Sequence, residues 1–283
     1  GCVRLRGKNV EVDSLFVIKE NVDYSTGNIS FKGSVVINGD VKSGFKVKVK
    51  NDVQINGTLE DAIVEAGGNV LLKNGFIGRN KGHIIAHGNV TAKFCENESI
   101  IADGDIHIGD YVMNSRVLTK GHLLVKEKTG LVLGGESCAV KGIEANVVGN
   151  KSYTHTRLSV GVDKVTESYL ENNIMYLEEV EKILNKLARR KLVKKDLSES
   201  MREMIDRLHQ IVSLKEEENK RLKEESEAME RNAEELKKGV IKIHSVVYPG
   251  TWITIYNNHV EVTEPRKSVW YSYAENDIIA LDL

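Results

Sequence analysis

Hydrophobic and polar positions alternate along the first half of the chain, around a short phrase that recurs at intervals of 14 to 20 residues. In Ala86–Asp110 the phrase occurs as Gly-Asn-Val at 88–90 and again as Gly-Asp-Ile at 104–106. The residue after the first position of the phrase is polar in every repeat. The repeats are marked by Gly33, Asn51, Gly68, Gly88, Gly104, Gly121 and Gly135.

The positions two and four residues before and after each mark are nearly all apolar. Around Gly88 they are Ile84, Ala86, Val90 and Ala92. Alternation with a period of two on both sides of a bend predicts two strands per repeat, with the apolar side chains on one face. A glycine at the bend indicates either a positive φ or close stacking of successive turns.

One repeat cannot bury its apolar face alone, whereas stacked repeats bury it continuously. We therefore predict a mainly β fold, a right-handed single-stranded β-helix (β-solenoid) of about eight coils. A left-handed β-helix is the alternative. Such helices keep a strict six-residue repeat, and the coil length here varies, so we favour the right-handed form.

The pattern changes near Asp163, where apolar residues begin to recur at spacings of three and four. The segment 163–238 contains neither glycine nor proline, and "KKDLSES" separates two helical series. This pattern predicts a long antiparallel α-helical coiled-coil hairpin inserted into the β-solenoid. We predict three segments: 1–162, the β-helix with an N-terminal covering segment; 163–239, the hairpin; and 240–283, a C-terminal β segment that packs back on the β-helix.

Composition excludes several classes of function. The net charge is −1 although 29% of the residues are charged, so no global field attracts nucleic acid or an anionic membrane. No run of 18 apolar residues predicts a membrane span. The three cysteines, Cys2, Cys95 and Cys138, form no closely spaced even set. That usage is typical of a reducing compartment, and we predict a cytoplasmic protein.

Histidines and aspartates supply the candidate chemistry. His83 and His87 are four residues apart, a spacing that suits zinc on a helix; on a strand it places the two rings about 13 Å apart, too far for one metal. Asp103, Asp105 and Asp110 could serve as the carboxylates of a polysaccharide-cleaving β-helix. An Asp beside a bend glycine is also expected on structural grounds alone.

The other candidates are weaker. His107 or His122 could act as an acyltransferase base, and Cys95 or Cys138 as a nucleophile, but neither cysteine has a histidine nearby in sequence. We therefore predict no catalytic, cofactor-binding or metal-binding residues. Two surface features remain, each with a structural and a binding interpretation: a basic strip and an aromatic C-terminal segment. They comprise Lys32, Lys42, Lys46, Lys48 and Lys50, and Trp252, Trp270, Tyr271 and Tyr273.

Several segments together resemble the bacterial flagellar assembly protein A family, long classed as a family of unknown function. They are "VDYSTGNISFKGSVVINGDVKSGF" (22–45), "GRNKGHIIAHGNVTAKF" (78–94), "TGLVLGG" (129–135), "TRLSVGVD" (156–163) and "VYPGTWITI" (247–255). The resemblance covers essentially the whole chain. It implies a cytoplasmic bacterial protein with a right-handed β-helix, a coiled-coil arm and a further N-terminal domain, and it carries no established catalytic residue.

We therefore predict a non-enzymatic scaffold in flagellar assembly or positioning that acts through protein–protein contacts of the rod and the arm. The expected partners are proteins of the flagellar or polar machinery, and the chain is expected to form a homo-oligomer through the coiled coil or the β-helix ends. No nucleic acid and no cofactor are expected. The alternatives are a bactofilin-like self-polymerising protein and a solenoid enzyme acting on carbohydrate or acyl groups.

Overall fold

The computed structural model describes residues 2–6, 9–193 and 199–283, and the side chains of 14–188 and 199–283. Strands dominate the described residues, and three helices interrupt them. The strands before the helices are β1 (Cys2–Arg6), β2 (Asn9–Asp13), β3 (Leu15–Ile18), β4 (Ile29–Phe31), β5 (Ser34–Ile37), β6 (Lys46–Val49), β7 (Val53–Ile55), β8 (Leu59–Glu60), β9 (Ile63–Ala66), β10 (Val70–Leu72), β11 (Phe76–Ile77), β12 (His83–Ala86), β13 (Val90–Glu96), β14 (Ser99–Ala102), β15 (Ile106–Thr119), β16 (His122–Val125), β17 (Leu131–Ala139), β18 (Gly142–Val148) and β19 (Thr156–Val160).

The remaining elements are the helices and a C-terminal group of strands. They are α1 (Lys164–Val193), α2 (Glu199–Arg231), α3 (Ala233–Leu236), β20 (Val240–Val247), β21 (Thr251–Ile255), β22 (Asn258–Glu261), β23 (Arg266–Ala274) and β24 (Asp277–Asp282). Two compact units divide the chain: residues 1–163 with 234–283 form one, and residues 164–233 form the other.

The first unit is a β-solenoid of about eight turns, built from three parallel ladders. In the first ladder, equivalent apolar residues pair from coil to coil and are buried. They are Val35, Val53, Val70, Val90, Ile106, Leu123, Ile143 and Ile241. The second ladder does the same with Ile29, Val47, Val64, Ile84, Ile100 and Val117. The two strands predicted on either side of the glycine mark are therefore confirmed.

A third ladder closes each coil, and the alternation pattern did not predict it. It contributes one inward side chain per coil, from strands as short as two residues or from single bridges. The column runs Val22, Val41, Leu59, Phe76, Cys95, Val112, Val132, Val148 and Val247, and all nine are fully buried. A single apolar residue between turns gives no periodic signal, because two alternating positions at least are needed to show a period of two.

The predicted repeat register is correct for six marks and wrong for the seventh. The backbone bonds Asn51–Gly33, Gly68–Asn51, Gly88–Gly68 and Gly104–Gly88 join successive marks. The coil after Gly121 aligns with it at Lys141, whose N–H donates to the Gly121 carbonyl. Gly135 instead pairs with Ser115 at the start of the second ladder. Gly134 and Gly135 adopt φ of +70° and +73°, so they mark a different bend, and the apparent 14-residue step is not a coil.

The C-terminal strands continue the solenoid and then reverse direction. β20 stacks in parallel on β18, and β21 on β19. β23 then pairs antiparallel with β20, β24 with β23, and β22 with β21. Antiparallel strands thus occupy the positions where a further coil would otherwise pair.

The second unit consists mainly of α1 and α2, with 30 and 33 residues. The side-chain amide of Asn173 in α1 donates from Nδ2 to Asn219 Oδ1 of α2 at 2.8 Å. Lys215 Nζ donates to Asn173 Oδ1 at 2.9 Å. The predicted connection "KKDLSES" falls largely on residues 194–198, outside the described residues. A coiled-coil seam between the two helices stays a prediction.

The bend glycines are required by close stacking. Gly68, Gly88, Gly104 and Gly121 do not have positive φ. A Cβ on Gly104 would lie 2.2 Å from Asn89 Oδ1 and 2.9 Å from the Gly88 backbone. Of the two explanations offered by the sequence, close approach of successive coils is therefore the correct one.

Gly104→Ala should destabilise the solenoid by about 1–3 kcal/mol, because backbone atoms of the preceding coil must move to admit the methyl group. Gly109→Ala is the matched control, because its Cβ would meet only the end of the Glu127 side chain, at 3.1 Å. Urea unfolding followed by circular dichroism measures both. Equal loss of stability in the two variants would contradict the stacking explanation.

Candidate functional site

The polar residue after each mark from Gly33 to Gly104 accepts a hydrogen bond from the backbone of the next coil. Asp52 Oδ1 accepts from the N–H of Asn69 at 2.7 Å, and Asn69 Oδ1 accepts from Asn89 at 2.8 Å. The series continues from Asn89 to Asp105 and from Asp105 to His122. We call this column, Ser34 to His122, the corner ladder. The bond from the His122 N–H lowers the pKa of Asp105, which keeps the carboxylate charged.

The candidate aspartates and histidines mostly serve as contacts between coils. His87 Nδ1 lies 2.6 Å from Asp103 Oδ2, and Asp105 Oδ1 lies 3.4 Å from His122 Nδ1. Asp110 faces Lys128 at 4.0 Å. Each aspartate thus has a different basic side chain as its neighbour. Among the described residues no group of three His, Cys, Asp or Glu side chains is placed to hold a metal ion.

His83 differs from His87 in its surroundings. It lies next to Glu65 and Lys46 and is half-buried, and burial lowers the pKa of its ring. His87 is exposed and contacts Asp103 on the following coil. The two rings therefore have different neighbours, as expected for outward positions that Ile85 separates, with His87 just after the end of β12.

Neither described cysteine has the environment of a nucleophile. Cys95 is fully buried in the third ladder, and burial raises its pKa to about 12. Its Sγ lies 3.5 Å from Ser115 Oγ. Cys138 is also buried, with its Sγ 3.4 Å from the Val162 carbonyl oxygen. A thiolate is required for nucleophilic attack, and burial disfavours it. The side chain of Cys2 lies outside the described residues.

The predicted basic strip is partly neutralised. Lys42 contacts Asp40 at 2.9 Å and Glu60 at 2.8 Å, and Lys48 contacts Glu65 at 2.5 Å. The Lys42–Glu60 and Lys48–Glu65 pairs link neighbouring coils. The strip is therefore a weaker candidate for an anionic partner than its lysine content indicated.

The aromatic residues of the C-terminal segment have separate environments. Tyr271 lies in the core. Trp252 stacks near His259 with ring centroids 6.1 Å apart. Lys237 Nζ lies 5.7 Å from the Tyr273 ring and 5.8 Å from the Tyr256 ring.

Glu98 is a buried carboxyl group that the sequence did not single out. Its side chain is 1% exposed, its Oε2 accepts from the Gly82 N–H at 2.9 Å, and its Oε1 faces Asp61 across the Gly78 α-carbon. Burial, together with Asp61, raises the pKa of Glu98 to about 8. Glu98 Oε1 is buried without a hydrogen-bond donor, and a pKa of about 8 favours the protonated carboxyl group at neutral pH, which can donate from this oxygen to Asp61. No local pattern in "CENES" signals this environment.

A groove lies on the outside of the first ladder. Its volume is about 420 Å³. The floor follows the outward positions of successive coils, where Leu71, Thr91, His107 and Leu124 pair in register. Gly109 leaves the next outward position without a side chain, which widens the groove beside Lys93. The groove therefore combines two apolar side chains with an open notch.

The groove is bordered by lysines. Lys126 pairs with Glu144 at 3.0 Å and Lys128 with Asp110 at 4.0 Å. Lys73 and Lys93 occupy equivalent positions on successive coils, about 4.8 Å apart along the ladder. Within the described part of the chain neither forms an ion pair. Glu127 is the one acidic side chain among the groove-lining residues. The groove therefore offers positive charge beside apolar floor residues, which suits an acidic, extended protein segment.

The sequence contained part of this signal. Lys73 and Lys93 each lie three residues after the valine of a Gly-Asn-Val phrase, Val70 and Val90, so the repeat predicts their alignment. The notch at Gly109 could not be predicted from the repeat, because it depends on which outward positions of three separate coils lie next to one another.

Comparison with protein families gives one finding. The family model described as the Flagellar Assembly Protein A beta solenoid domain matches residues 14–278. Neither the curated proteins nor the solved structures contain a match to the chain. No helix among the described residues is both long enough and apolar enough to cross a membrane.

Glu98→Gln should remove a pH dependence of stability. A pKa raised on folding stabilises the protein below the unfolded pKa of about 4.5, and this contribution is lost as the pH rises through about 8. The unfolding free energy of the wild type should therefore fall relative to that of Glu98→Gln, by up to about 1.4 kcal/mol per pH unit within this interval. Urea titrations at pH 5, 6.5 and 8 measure it, with exposed Glu127→Gln as control. A constant difference between wild type and Glu98→Gln would contradict the assignment.

Proposed function

The chain belongs to the flagellar assembly protein A β-solenoid family, and on this premise we propose that it is a non-enzymatic, cytoplasmic scaffold in bacterial flagellar assembly or positioning. The β-solenoid, which we propose is right-handed, presents the lysine-bordered groove to a protein partner. The helices α1 and α2 form an antiparallel coiled-coil arm through which two copies associate. The C-terminal segment 240–283 covers the end of the solenoid.

The observation that carries this proposal is that the candidate catalytic groups contact residues of neighbouring coils. Asp103 contacts His87, Asp105 holds the His122 backbone, and Asp110 faces Lys128. A general acid or base has to be within reach of a substrate and must change its protonation during the reaction. Groups that bond successive coils of the solenoid are constrained by the fold instead, and this favours a structural role for the rod.

The groove suits a protein partner, because its floor residues and its unpaired lysines repeat with the same spacing. Its floor positions repeat once per coil, and so do the lysines Lys73 and Lys93. A partner segment running along the solenoid axis, with acidic side chains beside apolar ones, would contact both. Like charges on directly opposed positions destabilise a sheet, so a carboxylate between the two lysines would also relieve their repulsion.

Lys73→Glu with Lys93→Glu should abolish or strongly reduce flagellation when the variant replaces the chromosomal gene of the source bacterium. The physical reason is reversal of the charge that meets the acidic partner. Flagella per cell and swimming-halo diameter are measured, with equal protein level checked by immunoblot. Lys19→Glu with Lys151→Glu, two exposed lysines outside both the groove and the basic strip, is the matched control. Normal flagellation in the groove variant would contradict the proposed partner site.

The same assay separates the scaffold from a solenoid enzyme. Asp103→Asn, Asp105→Asn and His122→Gln, none of which lines the groove, together keep hydrogen-bonding groups at all three positions but remove their acid–base chemistry. Flagellation should be unchanged in this triple variant. Its loss, with a folded protein by circular dichroism, would favour the enzyme and overturn the scaffold proposal.

Replacing residues 164–233 by a short Gly/Ser link should convert a discrete dimer into a monomer. These bounds remove the helical unit and keep Glu234 and Lys237, which belong to the solenoid unit. Light scattering coupled to size exclusion over a range of protein concentrations gives the mass of both forms. Open-ended growth that survives the replacement would place association at the solenoid ends and favour a bactofilin-like polymer.

A further inference from the structure

The helical unit, residues 164–233, carries large apolar side chains on its surface. In α1, Tyr176 is 41% exposed and Ile183 is 40% exposed. In α2, Met204 is 47% exposed and Leu214 is 65% exposed, and Ile211 is half-buried. Exposed apolar side chains that gather on one face mark an interaction site, whereas single scattered ones are ordinary. The arrangement of these five residues on the two helices therefore has to be established first.

Along each helix, buried and half-buried residues recur at alternating steps of three and four, which is the spacing of the a and d positions of a coiled coil. We call these residues the seam. They are Asn173, Leu177, Val180, Leu184 and Leu187 in α1, and Leu208, Val212, Lys215, Asn219 and Leu222 in α2. The bonds from Asn173 to Asn219 and Lys215 form a polar layer within the seam, and such a layer fixes the alignment of two helices. The seam faces are therefore occupied by each other, and a partner has to use another face.

The exposed apolar residues follow one side of the seam. Tyr176 and Ile183 each lie one residue before a seam position of α1, and Met204 and Ile211 lie one residue before equivalent positions of α2. These are g positions of the heptad, and in an antiparallel pair the g positions of both helices border the same side of the seam. Leu214 lies at a neighbouring c position of α2. We call these five residues the apolar flank.

The polar layer sets the heights of the flank residues along the arm. Asn173 lies level with its two bonding partners on α2. In the antiparallel arm proposed above, Tyr176 then comes level with Leu214, and Ile183 comes level with the midpoint of the two remaining flank residues of α2. At 1.5 Å per residue the apolar flank is about 15 Å long. It is therefore one continuous strip that both helices share.

The opposite side of the seam has a different composition. Over the same length it carries Glu181, Arg202, His209 and Glu216, with Ile174 as its large apolar side chain. A helix pair that stands free in water is expected to be polar outside the seam. The contrast between the two sides indicates that the apolar flank is covered by another surface.

A second copy of the chain matches the apolar flank in width and in height. Because the flank draws residues from both helices, the surface that covers it has to be two helices wide. A second arm, rotated by half a turn about an axis parallel to the helices, places α1 of each copy over α2 of the other. The rotation preserves the heights, so Tyr176 of each copy lies level with Leu214 of the other. The flank therefore complements itself, as an isologous interface requires.

The area of the flank is of the size that a dimer needs. Four of its side chains are 40–65% exposed, and a large side chain has roughly 200 Å² of surface, so each copy offers about 400 Å². Two copies would bury about 800 Å² from these side chains alone, and specific interfaces begin at about 1,200 Å² in total. The residues that border the flank have to supply the remaining third.

We propose that two copies of this chain associate through the apolar flank and form a four-helix bundle with a twofold axis along the arm. This interface rests on the proposed role of the arm in dimer formation and adds the face that the arm uses. The seam stays within each chain, so the two copies do not exchange helices.

Ile183→Glu with Met204→Glu should convert the dimer of the full 283-residue chain into a monomer, because the change places charge in an apolar interface. Light scattering coupled to size exclusion measures the mass, and circular dichroism checks that the helices are retained. Ile174→Glu with Met175→Glu, two exposed apolar residues of α1 outside the flank, is the matched control and should remain a dimer.

The outcome separates this interface from the proposed function. A dimer that survives in the flank variant, while replacement of residues 164–233 gives a monomer, would overturn the flank interface and leave the arm as the assembly device. A wild type that is monomeric at every concentration would overturn both, and would leave the flank to a helix of another protein.

Photo-crosslinking tests the face without disturbing the bundle. Purified protein with p-benzoylphenylalanine in place of Leu214 should give a covalent dimer on irradiation, because this position lies beside the other copy. The same group in place of Met175, which is exposed on α1 outside the flank, should give little or none. Equal yields at the two positions would contradict the proposed face.

Discussion

The structure depends on one repeated contact: a side-chain oxygen at the corner of a coil accepts a hydrogen bond from the backbone of the next coil. Asp52, Asn69 and Asn89 each do so at 2.7–2.8 Å. The residue before each donating N–H has to lack a Cβ, because a Cβ on Gly68, Gly88 or Gly104 would lie 2.2–2.6 Å from the accepting oxygen. Each bond contributes only about 0.5–1.5 kcal/mol net. Repeated along the rod, these bonds fix the register in which the apolar columns stack, and the core follows from that register.

The sequence predicted the parts of the fold that repeat with two or more alternating positions. The columns through Val90 and Ile84 are such parts, and both form buried ladders. The column through Phe76 and Cys95 was missed, because its strands supply one inward residue between turns. The register predicted at Gly135 was wrong, because the sequence does not distinguish a glycine that adopts a positive φ from a glycine that close stacking requires.

The roles of the candidate catalytic residues were also predictable only in part. Aspartates beside bend glycines were open to a structural interpretation from the start, and Asp105 has one. Glu98 gave no signal, because its burial and its neighbour Asp61 come from separate coils. The groove likewise joins residues from different coils. Surfaces that arise from stacking become visible only when the register is known, and a single misplaced mark is enough to separate their members.

In a fold whose polar groups are mostly paired, residues that lower the stability without any structural benefit are expected to serve function. Most polar corner groups of this solenoid have a partner on the next coil, as the corner ladder shows. The groove differs, because Lys73 and Lys93 put like charges on successive coils and neither forms an ion pair among the described residues. Replacement of either lysine by a neutral residue would fit the fold equally well. Their charge is therefore available to a group that the described part of the chain does not provide.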